Sequence, residues 1–263
     1  DDVESRGLGD VYKRQPQEQQ YKGSMLDGSL HHLTDEGNIK YILANVTGPT
    51  SRYFSKNHRS FLWIDDVILV IDDVCSHEDG TFSLLFHPDG VSRKNGIDLS
   101  VVNQQAAVDI RPLWPDYLTE SDFEHDFPYN LKLKAHQGPK AKKTDEMETY
   151  YSVTYPIKAQ SVKFITAIIL KDSPASKNIP QVTRLKGDDL QGVRIAKGDK
   201  ITDVYLNTRA DGHIMHRNSC TNVNGWDTDA YLLAFSYKKG TDPAVSKNIL
   251  EWFIGYGSYV RNA

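Results

Sequence analysis

Histidine is the first side chain to consider, because its ring can ligate a metal or carry a proton near neutral pH. The chain has nine histidines, and two clusters of them are candidate metal ligands. His31 and His32 are adjacent, so on a strand they would point to opposite faces. His213 and His216, three positions apart, would also face opposite ways. We therefore expect structural roles for both clusters and predict no metal site.

Carboxylates form a second group of candidates, in three adjacent pairs: Asp65-Asp66, Asp72-Asp73 and Asp188-Asp189. The first two pairs bound an apolar run and are typical of turns and strand ends, where Asp side chains bond to nearby backbone. We do not interpret them as a general acid–base couple. The third pair could bind calcium, but its loop lacks the alternating carboxylates of a dedicated site.

Other catalytic motifs are absent from the sequence. The glycine-rich stretch 187–192 has no strand–helix context, which excludes a phosphate-binding loop. No Gly-x-Ser-x-Gly elbow is present, and 255–259 is better interpreted as a closely packed terminal strand. Arg59 begins an apolar run, and we expect it to anchor a carboxylate or a carbonyl at the edge of its strand. The sequence thus predicts no catalytic residue.

Cys75 and Cys220 are the two cysteines. They could pair in an oxidising compartment, but they lie far apart in sequence, and two free, buried thiols are an equal alternative. The sequence contains no Cys-x-x-Cys motif and no Cys/His cluster with zinc spacing. We predict no cofactor for this chain.

The composition is that of an ordinary globular chain rich in aromatic residues. Of the 263 residues, 39% are hydrophobic and 25% charged, and the net charge is −4. No basic face is evident, which argues against a nucleic-acid partner. The longest apolar run, 164–170, is far too short to span a bilayer, so we predict no membrane partner.

Short apolar or alternating runs separated by turns make up most of the chain. Runs at 59–64 and 67–71 around Asp65-Asp66 predict a hairpin. Further strands are predicted at 41–46, 81–86, 97–102, 106–113, 130–134, 150–155, 162–170, 193–196, 201–206, 213–217, 230–237 and 249–256. Weak helical candidates lie at 104–108 and 115–122, and 138–148 is expected to be a charged loop. The pattern predicts an all-β fold, an antiparallel sandwich of two stacked sheets with little helix.

The N-terminal stretch SRGLGDVYKRQ at 5–15 has a different character. It matches one reading frame of a transposon-end sequencing adapter, in which the codons GAT GTG TAT AAG AGA CAG encode Asp10 to Gln15. We expect residues 1–15 to be a non-native tail carried over from assembled environmental DNA. The β-sandwich domain is then predicted to occupy 16–263, as a truncated part of a larger enzyme.

Two segments carry a more specific pattern. RSFLWIDDVILVIDD at 59–73 leads into the strand at 82–87, and DVYLNTRADGHIMHRNS at 203–219 leads into WDTDAYLLAF at 226–235. These segments resemble the C-terminal β-sandwich of the heparinase II/III-like polysaccharide lyases, where a strand beginning with Arg, a short turn and a strand ending in an acidic residue recur. The resemblance covers residues 16–260.

The resemblance implies a secreted or periplasmic bacterial enzyme that joins an α/α toroid to the sandwich. Such enzymes cleave acidic, uronate-containing polysaccharide by β-elimination, in which a base removes the proton beside the carboxylate and an acid, often Tyr, assists the leaving sugar. The family's His-x-His and His-Asn motifs, which supply zinc ligands in some members, do not occur here. By the family's order they would precede Pro16, together with the toroid that binds the substrate. None of the family's catalytic or metal-binding residues can be assigned to a position in this chain, so we expect the chain to be inactive alone. Whether the larger enzyme binds zinc is left open.

Two other functions fit the composition. A non-catalytic carbohydrate-binding or adhesion sandwich would need exposed aromatic side chains from among Trp63, Trp114, Trp226 and Trp252, although we expect the strand-embedded Trp63 to be in the core. An accessory domain of a glycoside hydrolase would need paired carboxylates facing one cleft, and the sequence offers no compelling pair.

Overall fold

The computed structural model describes residues 27–35, 37–96, 98–104, 106–115, 131–139, 146–187, 190–210 and 220–262. These residues form seventeen β-strands, one short α-helix and one 3-10 turn, and every strand pairing is antiparallel. The predicted all-β fold with little helix is confirmed. The chain divides into two compact units between Ala175 and Ser176. The prediction of one domain over 16–263, with 1–15 as a foreign tail, stays a prediction.

The first unit is built on one nine-stranded sheet. Its elements are β1 (Ser29–Thr34), β2 (Ile39–Asn45), α1 (Thr47–Thr50), β3 (Phe54–Ile64), β4 (Val67–Phe86), β5 (Val91–Asn95), β6 (Asp98–Asn103), β7 (Ala106–Trp114), β8 (Lys132–Pro139) and β9 (Met147–Lys171). The strand order is β1-β2-β3-β4-β9-β7-β6-β5, and β8 pairs with β9 outside this path.

The hairpin of β3 and β4 forms as predicted. Its two-residue turn is Asp65-Asp66, and Asp65 has a φ of 50°, a left-handed conformation that Asp tolerates better than most residues. Ile64 pairs with Val67 across the turn. The carboxylates at 65–66 thus have the turn role that the sequence indicated.

Two strands are much longer than the sequence predicted. β4 has 20 residues and β9 has 25, so that the predicted strands at 67–71 and 81–86 are one continuous strand, as are those at 150–155 and 162–170. The pairing of β4 with β9 shifts register twice between Cys75 and Phe82. At such irregularities a strand bends without ending.

This irregularity lets the sheet fold back over its own core. The first half of β4 pairs with β3 and the second half of β9 pairs with β7, whereas the first half of β9 lies between β8 and the second half of β4. Side chains from both parts pack into one hydrophobic cluster, which contains Phe54, Val74, Phe82, Leu84, Leu99, Val101, Ile110, Leu131, Leu133, Tyr151, Val153, Val162 and Phe164. One sheet thus supplies two layers.

Strand alternation gives the central strands two different faces. One row across β2, β3 and β4 consists of Tyr41, Leu62 and Leu69, which are all 0% exposed. The row on the opposite face pairs Arg59 with Asp72, and Asp72 with Phe164. The second face therefore carries polar groups into the folded sheet.

The second unit contains two smaller sheets. Its strands are β10 (Gln181–Gly187), β11 (Leu190–Lys197), β12 (Lys200–Asn207), β13 (Thr221–Val223), β14 (Trp226–Thr228), β15 (Leu232–Lys238), β16 (Ile249–Gly255) and β17 (Val260–Asn262). The sheets have the orders β10-β11-β12-β15-β16 and β13-β14-β17. One cluster that includes Tyr205, Val223 and Phe235 joins them.

The helical candidate at 104–108 is wrong. Gln104 lies in a turn with a φ of 52°, and β7 begins at Ala106 and pairs with β6 and β9. The weak local preference for helix is thus overridden by cross-strand pairing. Most of the second candidate, 116–122, lies outside the described residues. In the described part of the chain, no helix is long and apolar enough to cross a membrane.

Candidate functional site

A cavity of about 400 Å³ lies in the first unit, where the folded sheet brings β3, β4, β8 and β9 together. Its lining combines apolar core side chains with many polar ones. The polar members are Asn57, Arg59, Asp72, Thr81, Ser83, Lys132, Lys134, His136, Tyr150, Ser152 and Thr154. Its volume falls within the range of about 300–1,000 Å³ that is typical of ligand pockets.

The cationic side of the cavity comes from strand alternation. Lys132, Lys134 and His136 stand two residues apart on β8, so their side chains share one face. We call these three residues the β8 row. Across the strand pair, the first two face the hydroxyl residues Thr154 and Ser152. Cations and hydroxyl groups thus alternate along one surface.

The end of the β8 row is held by aromatic stacking. His136 pairs with Tyr150 across the strands, and their rings stack with centroids 4.9 Å apart. His87, just after β4, stacks on the same tyrosine at 5.1 Å. His136 Nε2 also lies 2.8 Å from Ser152 Oγ, within hydrogen-bond distance. These contacts fix the orientation of the ring that faces the cavity.

Arg59 and Asp72 line another part of the cavity. They are direct cross-strand partners, and Arg59 Nε donates a hydrogen bond of 2.6 Å to Asp72 Oδ1. Asp72 is only 3% exposed. Burial raises the pKa of the Asp72 carboxyl, while the charge and hydrogen bond of Arg59 act in the opposite direction.

The expectation that Arg59 anchors a carboxylate is confirmed by this contact, but its expected place at the edge of the strand is wrong, because Arg59 lies in the middle of β3. The expectation for Asp72-Asp73 as strand-end residues is wrong, because both lie buried in the middle of β4. Asp73 forms ion pairs with Lys56 and Lys163. The sequence did not indicate this burial, because the apolar run ends at residue 71 and the polar residues after it look like the end of a strand. In the structure, β4 continues through them.

The histidines expected to be structural have ordinary partners where they are described. His31 Nε2 lies 3.3 Å from Asn45 Nδ2, and the His32 ring packs on Tyr41. His213 and His216 fall outside the described residues, as does the pair Asp188-Asp189. Among the residues that the structure describes, no group of three or more His, Cys, Asp or Glu could hold a metal ion.

The tryptophans divide differently from the expectation. Trp63 is 47% exposed, so its predicted place in the core is wrong. Its Nε1 donates to the backbone oxygen of Asp65, which holds the ring at the surface end of the hairpin. Trp114 and Trp226 are buried, and the half-buried Trp252 packs edge-on against Trp226.

Neither cysteine forms a disulfide. Cys75 is half-buried, and Cys220 is exposed and accepts a hydrogen bond from the hydroxyl of Tyr259. Two free thiols were one of the two alternatives that the sequence left open. The expectation that both are buried is wrong, because Cys220 lies at the surface.

The β8 row was missed at the level of sequence, although a signal was present. The alternation Lys-x-Lys-x-His at 132–136 places three basic side chains on one face of any strand. The alternation does not reveal the hydroxyls opposite, because they come from a strand about twenty residues further along the chain.

The chain is therefore an all-β, antiparallel protein whose nine-stranded sheet encloses a cavity lined by basic and aromatic side chains. Solved structures with a similar fold are heparinases. A heparinase III structure aligns with a TM-score of 0.50 and 11% identity, over 68% of this chain and 27% of its own. The heparan sulfate lyase HepC from Pedobacter heparinus aligns with a TM-score of 0.50 and 12% identity, over 69% of this chain and 28% of its own.

The resemblance predicted from the sequence is therefore confirmed as a likeness of fold. The chain spans little more than a quarter of the length of these structures. No protein-family model matches the sequence, and no curated protein matches it either.

Proposed function

We propose that this chain is the β-sandwich part of a polysaccharide lyase, and that its cavity binds a stretch of acidic, uronate-containing polysaccharide. The observation that carries the proposal is the β8 row, which faces hydroxyl groups in a cavity of a fold shared with heparinase III. The similar protein HepC is named a heparan sulfate lyase, and heparan sulfate is therefore the probe of choice.

The chemistry of the lining suits a sulfated or carboxylated sugar chain. Ammonium groups bind carboxylate and sulfate oxygens through charge-assisted hydrogen bonds. The hydroxyls of Ser152 and Thr154 can exchange hydrogen bonds with sugar hydroxyls. The ring of His136, which stacks on Tyr150, lies beside these polar groups in the cavity lining.

We assign the cleavage step to catalytic groups outside this chain, because none of its residues matches the family's catalytic motifs. In that step, β-elimination, a base removes the proton beside the uronate carboxylate and the 4-linked sugar departs. This assignment is supported by the lack of the family's His-x-His and His-Asn motifs. We further propose that the larger enzyme is secreted or periplasmic. We expect the chain alone to form no ultraviolet-absorbing unsaturated uronate.

Calorimetric titration with heparan sulfate oligosaccharides tests the binding proposal. The double variant K132Q/K134Q removes two cations from the cavity and should weaken binding by about tenfold, equivalent to about 1.4 kcal/mol. The double variant K238Q/K239Q makes the same change of charge at exposed positions around the end of β15 and should bind like the parent. Equal binding by all three proteins would overturn the proposal.

The reading frame upstream of Pro16 in the source DNA tests the assignment to a lyase. A preceding toroid-length segment ending in His-x-His and His-Asn motifs would support it. A native start codon directly before Pro16 would contradict it.

A second candidate function is a non-catalytic carbohydrate-binding sandwich. The observation that favours it is the exposure of Trp63 and, two residues earlier on the same strand face, of Phe61 at 38%. Exposed rings can stack on the apolar faces of sugars. If W63A abolishes oligosaccharide binding while K132Q/K134Q leaves it intact, this function replaces the first.

A further inference from the structure

Among the described residues, four arginine–aspartate pairs link neighbouring strands. Two of them are closed, and a third, Arg261 with Asp227, is a loose surface contact of 3.9 Å. Arg111 donates from Nε and Nη2 to the two carboxylate oxygens of Asp98, at 2.7 and 2.6 Å. Arg194 donates to both oxygens of Asp203 at 2.7 and 2.8 Å, and the hydroxyl of Tyr237 donates to one of them. Each carboxylate thus has partners on both oxygens.

The pair of Arg59 and Asp72 is open by comparison. Only Nε of Arg59 contacts the carboxylate, through Oδ1. Within the described part of the chain, Asp72 Oδ2 is buried and has no hydrogen-bond partner, and the terminal amino groups of Arg59 donate no hydrogen bond. The Arg59 side chain is 44% exposed, so these donors are accessible.

An open pair of this kind is costly to the fold. A buried carboxylate oxygen without a partner loses its hydration and gains nothing in return. The same sheet closes its other Arg–Asp pair completely, so the geometry of antiparallel strands does not prevent closure. The open pair also lines the cavity to which the β8 row contributes. Both residues of the open pair therefore line one ligand-sized space, Arg59 with exposed donors and Asp72 with a buried acceptor that has no partner.

We propose that Arg59 and Asp72 determine specificity by binding one sugar unit that carries an anionic group beside a free hydroxyl. The anionic group accepts hydrogen bonds from the terminal amino groups of Arg59, and the hydroxyl donates to Asp72 Oδ2. This inference rests on the proposed function, since it concerns the same cavity. Sites built to bond a hydroxyl discriminate strongly against ligands that lack it, because the buried acceptor is then left unpaired.

The proposal predicts that D72N weakens the binding of heparan sulfate, although the substitution removes a negative charge. If the carboxylate only repels a polyanion, its removal should tighten the binding of heparan sulfate. The proposal predicts weaker binding, by about tenfold, because the charge-assisted acceptor for the hydroxyl is lost. R59K keeps the positive charge but loses the planar fork, and it should weaken binding to a similar degree.

The experiment compares the full chain with D72N and R59K by calorimetric titration. The ligands are heparan sulfate oligosaccharides, the same oligosaccharides after desulfation, and the same after reduction of their carboxyl groups. The desulfated and carboxyl-reduced forms show which anionic group Arg59 binds. The preference of the parent for that group should shrink in both variants. D98N and R111K, which alter a closed pair outside the cavity lining, serve as matched controls and should bind like the parent.

The outcomes separate this inference from the proposed function. If K132Q/K134Q weakens binding while D72N and R59K bind as the parent does, the inference fails and the proposed function stands. Tighter binding by D72N also overturns the inference. If none of the cavity variants changes binding, both fail. Thermal unfolding of each variant confirms that the compared proteins are folded.

Discussion

Asp72 and Asp203 are both buried aspartates that face an arginine on the neighbouring strand, yet their surroundings differ. Asp203 is 0% exposed and accepts hydrogen bonds from Arg194 and Tyr237 on both oxygens. Burial, together with Asp203, raises the pKa of Tyr237 to about 12, so its hydroxyl stays a donor at neutral pH. Asp72 has one partnered oxygen and a pKa that burial raises. The first aspartate stabilises the fold, and the second costs it free energy.

We predict opposite effects of the two Asp→Asn substitutions on the free energy of unfolding at pH 7. D72N should leave it unchanged or raise it by about 1 kcal/mol, because Asn still accepts from Arg59 without a buried charge. D203N should lower it by about 2–3 kcal/mol, because an amide donor then faces other donors. Denaturant unfolding of the two variants measures both effects. A larger loss for D72N than for D203N would contradict this account.

The pH dependence of the same comparison follows from linkage. The folded-state pKa of Asp72 lies above the ordinary value of 3.8, so the folded protein binds this proton more tightly than the unfolded chain. The contribution of Asp72 to the free energy of unfolding of the unsubstituted protein therefore rises as pH falls through the folded pKa, and it levels off below 3.8. Any stability advantage of D72N should shrink over the same interval, since Asn does not titrate.

Only part of the candidate site was predictable from single residues. An arginine before an apolar run indicated a carboxylate partner, and Arg59 has one. Which oxygen of Asp72 stays without a partner depends on the rotamers of two side chains on separate strands, and no sequence pattern records that. Trp63 was misassigned because strand alternation gives a face but not what covers that face.

At the scale of elements, strand identity was predictable and strand continuity was not. Most predicted segments in the described chain coincide with strands, because alternating apolar residues and Gly- or Asp-rich turns are local signals. The continuous strands β4 and β9 were divided in the prediction, since Ser76 to Gly80 is polar and lacks periodicity. Those residues stay in the sheet through register shifts opposite β9. Pairing over some eighty residues of sequence leaves no local trace.

Gly192 in β11 shows how closely one strand can require a glycine. A Cβ added there would lie 2.7 Å from Leu185 Cβ and 2.9 Å from the Leu185 backbone oxygen. We predict that G192A lowers the free energy of unfolding by about 2 kcal/mol, because the paired backbone must move. G80A is the matched control, since a Cβ at Gly80 meets nothing within 4 Å, and it should stay within about 0.5 kcal/mol of the parent. Thermal or denaturant unfolding distinguishes the two, and equal losses would contradict the packing argument.

At the scale of the whole molecule, the net charge of the chain and the charge of the proposed ligand are both negative. The chain carries a net charge of −4, so its distant field repels a polyanion, and attraction has to come from a local group of cations. Fields of this kind act over about 8 Å at physiological ionic strength. Lys132 and Lys134 of the β8 row lie about 7 Å apart along one strand face and concentrate positive charge within that distance, which is how the proposal reconciles an acidic chain with an acidic polysaccharide.

Salt dependence tests this arrangement directly. Each lysine that neutralises a charge on the polyanion releases a counterion, so the logarithm of the association constant should fall linearly with the logarithm of salt concentration. For K132Q/K134Q we predict a slope that is shallower by about two, or about one per lysine removed. K238Q/K239Q alters the net charge equally and should keep the slope of the parent. Parallel lines for the parent and K132Q/K134Q would mean that these lysines act through the overall field and do not contact the polysaccharide.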